Sequence, residues 1–136
     1  MPDLHGWITR QVDAAEEYAR DHILNPVNAL RRCEADRNIL NRHRLNPDAI
    51  WYEAAMCEGC GTEGDMAYPV TENLNDCPEL LDLAHAHGLT PEILATLDRP
   101  QKGEWPEPRG FRIGPPARPT SSVPPPLRGP NWKARP

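Results

Sequence analysis

The sequence predicts a mainly α fold, and three observations carry that prediction. Apolar residues recur at helical spacing through residues 4–43, a C-x-x-C pair sits among glycines at 57–64, and prolines crowd the chain after residue 100. The expected order is an N-terminal αα-hairpin, a knuckle with at most a short β-hairpin, two short C-terminal helices and an extended Pro-rich tail.

The first helix is expected from Leu4 to about His22. Leu4, Trp7, Ile8, Val12, Ala15, Tyr18 and Ala19 fall on one face, with Arg10, Asp13, Glu16, Glu17 and Arg20 opposite. Asn25-Pro26 then reads as an N-cap followed by proline in the first turn, where its missing N–H is tolerated. A second helix follows from about Pro26 to His43, with Val27, Leu30, Cys33, Ile39 and Leu40 as its apolar set. Arg31, Arg32, Arg37, Arg42 and Arg44 form a basic strip that can pair with the acidic face of the first helix. Exposed pairs of this kind contribute only about 0 to 1 kcal/mol each.

Asn46-Pro47-Asp48 breaks the pattern, and Ile50-Trp51-Tyr52 with Ala54–Met56 fits either a short strand or a helical turn. Gly59, Gly61 and Gly64 suggest a tight knuckle, and Tyr68–Thr71 an extended return. Asp76-Cys77-Pro78-Glu79 has capping-box spacing, so a helix is expected to start at Cys77 with Asp76 as N-cap. It carries Leu80, Leu81, Leu83 and Ala84 and should end at Gly88 in a left-handed cap with Leu89 behind it. Thr90-Pro91-Glu92 opens one more short helix through Ile93, Leu94 and Leu97.

Charge and composition divide at one place. Residues 1–99 hold 18 acidic against 8 basic residues, a net −10, whereas residues 100–136 hold 2 against 7 and stand at +5. Eleven of the seventeen prolines lie in that second stretch, so residues 1–99 form the expected domain and 100–136 a basic tail, extended or disordered. The acidic body repels phosphate, which leaves the tail as the basic element for any nucleic-acid contact. Met1–Gly6 has neither the basic nor the apolar region of a secretory leader, and no stretch approaches eighteen apolar residues. A cytoplasmic protein without membrane contact is therefore expected.

In a reducing compartment, four cysteines point to metal or redox chemistry before disulfides. Cys57-Glu58-Gly59-Cys60-Gly61 is a C-x-x-C-G knuckle, and two thiolates so spaced reach one ion only if the chain turns sharply. Sixteen residues separate Cys60 from Cys77, whose place at a helix start favours thiolate through the helix dipole. Zinc needs about four nitrogen or sulfur ligands. His43 leads for the fourth place, because it ends the second helix and is followed by a loop. Cys33 sits mid-helix among apolar positions, and His85 and His87 lie down the helix from Cys77; these three remain the other candidates. A thioredoxin-type redox pair would require a βαβ pattern that the sequence lacks. With four protein ligands, His43, Cys57, Cys60 and Cys77, the zinc would be structural, since catalysis requires an open position.

The stretch NPVNALRRCEADRNILNRHR at 25–44, preceded by His22-Ile23, resembles the central signature of a family of small uncharacterised proteins of actinobacteria and their phages. The later C-x-G-C-G, P-V-T and D-C-P-E-L resemble the second half of many members. The resemblance covers residues 4–99 and implies that His43 matches the family histidine and Cys57, Cys60 and Cys77 its cysteines. Cys33 departs from the family pattern. A phage or actinobacterial source is implied, and with it host cytoplasm or virion as the location.

Residues 80–97 also match a helix-turn-helix template, but the turn into the second helix reads Thr90-Pro91-Glu92, without Lys or Arg before Arg99. A helix so charged repels a duplex, and a compact helical corner is the better reading. His85 and His87 beside C-x-x-C lack the strand-strand-helix frame of an HNH-type nuclease, and no enzyme is expected. The tail, with Trp105, Phe111 and Trp132 among basic residues, suits a groove on a partner protein. It suits nucleic acid through charge and stacking less well. A linker, or a strap on its own acidic body, is the remaining use. The expected protein is thus a non-enzymatic zinc-binding interaction module, with a nucleic-acid-binding regulator as the alternative.

Overall fold

The computed structural model describes residues 1–104; of the tail expected at 100–136, the part from Trp105 onward lies outside the described residues. Helix α1 spans Leu4–His22, as its periodicity requires, and buries Leu4, Ile8, Val12 and Ala19. Tyr18 shares that apolar spacing yet is 61% exposed, because it rotates past the edge of the packed stripe. Asp3 caps the helix by accepting from the Gly6 N–H at 2.8 Å.

Helix α2 runs Val27–Arg42 and returns antiparallel in sequence through a short turn. Asn25 does not cap it. Pro26 occupies the cap position with no side-chain bond, and its carbonyl accepts from the Leu30 N–H at 2.8 Å. Only Cys33 and Leu40 of α2 are fully buried. Of the basic strip, Arg37 reaches α1, pairing with Asp13 at 2.8 Å and with Glu16. Arg44 turns instead to Glu58 at 3.5 Å.

The ambiguous segment after Asp48 is a 3-10 turn, Trp51–Ala55. The knuckle leads into β1 (Thr62–Glu63) and β2 (Tyr68–Pro69), an antiparallel pair with Thr62 opposite Pro69 and Glu63 opposite Tyr68. A second 3-10 turn, Leu74–Asp76, precedes α3 (Pro78–Ala86). The N-cap of α3 is Cys77, not the expected Asp76. Asp76 is held in the preceding turn, where its carboxylate takes two bonds from the Arg99 guanidinium at 3.2 and 2.7 Å. The C-terminus of α3 closes as expected: Gly88 adopts φ +90°, its N–H donates to His85, and Leu89 donates to Ala84. Helix α4 covers Pro91–Thr96, with the Thr90 hydroxyl accepting from the Ile93 N–H at 3.3 Å.

Helix α1 packs on α2, on α3 and on the Leu74–Asp76 turn, so Leu4, Ile8, Leu40, Leu74, Leu80 and Ala84 form one core that also takes in Cys57 and Cys77. Each large aliphatic side chain buried there contributes about 1.5–3 kcal/mol. Asn75, 1% exposed, is the most deeply buried polar residue among those described. Its Oδ1 accepts from the Leu4 N–H at 3.0 Å, satisfying an N-terminal donor of α1 that no turn of the helix can serve. Its Nδ2 donates to the Asp98 carbonyl at 2.9 Å, and the Asp98 N–H in turn donates to Pro2.

Beyond α4 the chain continues against the body to Glu104. The Asn73 amide donates to the Pro100 carbonyl at 2.9 Å, and the Gly103 N–H donates to the Trp51 carbonyl at 2.7 Å. A Cβ on Gly103 would lie 2.8 Å from the Trp51 nitrogen, so only glycine permits that approach. No helix among the described residues is long and apolar enough to cross a membrane.

Candidate metal centre

Four side chains from three elements converge beside the core. His43 is the C-cap residue of α2, where φ −100° and ψ 80° turn the chain out of the helix and swing the imidazole toward the knuckle. Cys57 follows the 3-10 turn and is fixed by two backbone bonds around it: its N–H donates to Thr71, and the Glu58 N–H donates to Arg44. Cys60 lies one turn further on, with the Gly61 N–H donating back to Glu58 and Gly61 at φ +72°. Cys77 arrives from the opposite side as the N-cap of α3.

The donor atoms form a compact tetrahedron. His43 Nδ1 lies 3.3 Å from Cys57 Sγ, 3.4 Å from Cys77 Sγ and 3.7 Å from Cys60 Sγ. Cys77 Sγ lies 3.7 Å from Cys57 Sγ and 3.6 Å from Cys60 Sγ. Bonds of about 2.3 Å to sulfur and about 2.05 Å to nitrogen around one tetrahedral ion give edges of about 3.8 Å between sulfurs and about 3.6 Å between sulfur and nitrogen. The five edges above lie within about 0.3 Å of those values. They are far from the roughly 2.05 Å of a disulfide, and all four cysteines are free. The four ligand atoms lie within 4.8 Å of one another and could hold a metal ion.

Gly59 shows how tightly the knuckle is set. A Cβ there would stand 2.3 Å from the Arg42 carbonyl oxygen and 2.9 Å from His43 Nδ1. The x-x glycine is needed for this close approach to the end of α2. Gly61, with its positive φ, is the glycine that makes the turn.

Burial pushes the Cys57 thiol up to about 12, against the opposing pull of the Cys60 N–H. Burial likewise raises Cys77, against the Leu80 N–H. Without an ion these sulfurs therefore hold their protons at neutral pH, and a metal must displace them. Metal binding at such a site strengthens as pH rises.

The other candidate ligands lie elsewhere. Cys33 is 5% exposed in a groove with Ala15, Ala19 and Ala86, and its thiol is raised by burial and by nearby Asp36. His87 Nε2 pairs with Asp36 Oδ2 at 2.9 Å, joining α3 to α2. His85 stands exposed on α3 and is not among the converging donors. The sequence did not reveal the supports around the cluster, the carbonyls of Arg44 and Thr71, because backbone acceptors leave no mark on residue type.

No family model matches the chain, and no curated protein or solved structure does either. The geometry of the cluster therefore carries the functional reading.

Proposed function

We propose that this protein is a small non-enzymatic module in which a structural zinc ion organises a surface for protein–protein contact. The observation behind this is the tetrahedral cluster: three cysteines and one histidine at the edge lengths of a zinc site, leaving no position for water or substrate. Cysteine-rich donor sets with one imidazole suit zinc better than calcium or magnesium, which take oxygen ligands. The exposed acidic residues Asp13, Glu17 and Asp21 on α1 supply a charged face for a partner. The resemblance of residues 4–99 to the actinobacterial and phage family supports a phage-encoded or actinobacterial origin, with host cytoplasm or virion as the site of action.

Metal analysis of protein purified without added zinc should give one equivalent per chain. Less than half an equivalent, with a fold unchanged under chelator, sinks the proposal. The net +5 of residues 100–136 favours one second reading, a regulator that grips nucleic acid through its tail. DNA affinity falling steeply between about 50 and 200 mM salt would support that reading instead.

A further inference from the structure

The hairpin that follows the knuckle exposes more apolar surface than any fold requirement explains. Met66 is 72% exposed, Tyr68 63% and Val70 51%, with Ile50 at 58% nearby in sequence to the 3-10 turn. Part of this surface is the wall of a groove of about 300 Å³, lined by Tyr52, Met66, Tyr68, Pro69, Glu72 and Lys102. Three separate segments build it: the 3-10 turn, the hairpin, and the strap that Gly103 pins to Trp51. Among the described residues neither tyrosine hydroxyl is engaged by a protein partner.

We infer that this groove binds a proline-rich, arginine-bearing peptide in polyproline II conformation, presented by a partner protein. This rests on the reading of the protein as an interaction module and names the chemistry of its partner. Two tyrosines with a proline and a methionine form an aromatic and apolar trough into which flat pyrrolidine rings stack. A polyproline II chain has no internal hydrogen bonds, so its carbonyls point outward and can accept from the Tyr52 and Tyr68 hydroxyls and the Lys102 ammonium. Glu72 on the rim supplies a carboxylate for a guanidinium.

The net charge of the described residues agrees. Residues 1–104 carry 19 acidic and 9 basic residues, a net −10, which attracts a basic segment and repels an acidic one. Addition of a partner strand along β2 fits less well. The strand is two residues long, and Pro69 offers no N–H to a ladder.

The test uses the full-length, zinc-loaded protein titrated with the synthetic peptide Arg-Pro-Pro-Leu-Pro-Pro-Leu-Pro, followed by amide NMR shifts. Saturable binding is expected, with shifts centred on residues 52, 66–72 and 102. The same peptide with serine for every proline should not bind. Tyr68→Ala, at an exposed position, should weaken binding at least about tenfold while zinc stays at one equivalent. Glu72→Gln should weaken the arginine peptide by about threefold and leave a glutamine-for-arginine peptide unchanged. Absence of saturable binding, equal binding of the serine peptide, or indifference to Tyr68→Ala overturns the assignment. Because zinc content is read independently, failure of the groove leaves the zinc site standing, and loss of zinc with retained peptide binding does the reverse.

Discussion

The helical side of the molecule and the knuckle side are held together by different physics. Helices α1, α2 and α3 bury Leu4, Ile8, Val12, Leu40, Leu80 and Leu83 against one another. Between Arg44 and Thr71 the chain buries little beyond Ala55 and Cys57. Its regular pairing is limited to two strands of two residues each. A segment of that length with so little apolar burial cannot offset its own conformational entropy, which runs to about 1–2 kcal/mol per residue. A metal held by the four-ligand cluster would supply what the core does not. Solvent exclusion stabilises the helical side, whereas the knuckle side would depend on a metal held by its four donors.

Removal of a bound metal should damage the knuckle side far more than the helical side. Structural zinc in small domains contributes apparent free energies of order 10 kcal/mol. Chelation, or Cys57→Ser, is expected to collapse the dispersion of amide signals from residues 43–77, while α1 and α2 keep much of their far-ultraviolet helicity. Uniform survival of the knuckle signals without metal would show that ligation does not hold it.

The converse perturbation is Ile8→Ala, which empties a fully buried site on the helical side. A loss of about 2–5 kcal/mol in urea unfolding is expected. Zinc stoichiometry under native conditions should stay at one, since Ile8 contributes no ligand.

Gly59→Ala tests the boundary between the two sides, because its new methyl collides with the Arg42 carbonyl and crowds His43 Nδ1. Overpacking of this kind costs about 1–3 kcal/mol. Competition with a chromophoric chelator should therefore show zinc affinity lowered by about 10- to 100-fold. Gly64→Ala, with nothing within 4 Å of its Cβ but φ +75°, should affect the hairpin and spare the metal.

The smallest expected effect lies on the helical surface. The Arg37 bond holds the Glu16 carboxyl below its ordinary value of 4.5. A depressed folded-state pKa stabilises above the unfolded value, and this contribution is lost as pH falls through the folded one. The melting-temperature gap between wild type and Glu16→Gln should thus be a small fixed value from pH 7 down to about 5 and shrink below 4.5. A gap that widens on acidification would contradict the assigned ion pair.

Much of the helical side was legible in the sequence, because period 3.6 is written in residue type: α1 ends where its stripe ends, and Gly88 and Thr90 mark their caps. The knuckle was legible through C-x-x-C-G, and the end of α2 placed His43 beside it. What could not be read depends on backbone atoms or distant partners. Asp76 has the letters of an N-cap but is claimed by Arg99, and Asn25 has them but yields to Pro26. Asn75 looks like a loop residue, and its buried role exists only once Leu4 and Asp98 meet around it. The strap at 100–104 reads as more tail, because the bond from the Gly103 N–H to the Trp51 carbonyl leaves no mark on residue type.

The Asn75 bridge also dictates an order of events during synthesis. Helix α1 is made before the segment that completes its N-terminus, because the amide of Leu4 finds its acceptor 71 residues later. Asp98, which closes the bridge onto Pro2, emerges later still. At about 5–20 residues per second, α1 waits roughly 5 to 20 s for that closure, with α2 already able to cover part of its apolar stripe. The N-terminal turn of α1 is thus closed by contacts that exist only once residues 75 and 98 have been made.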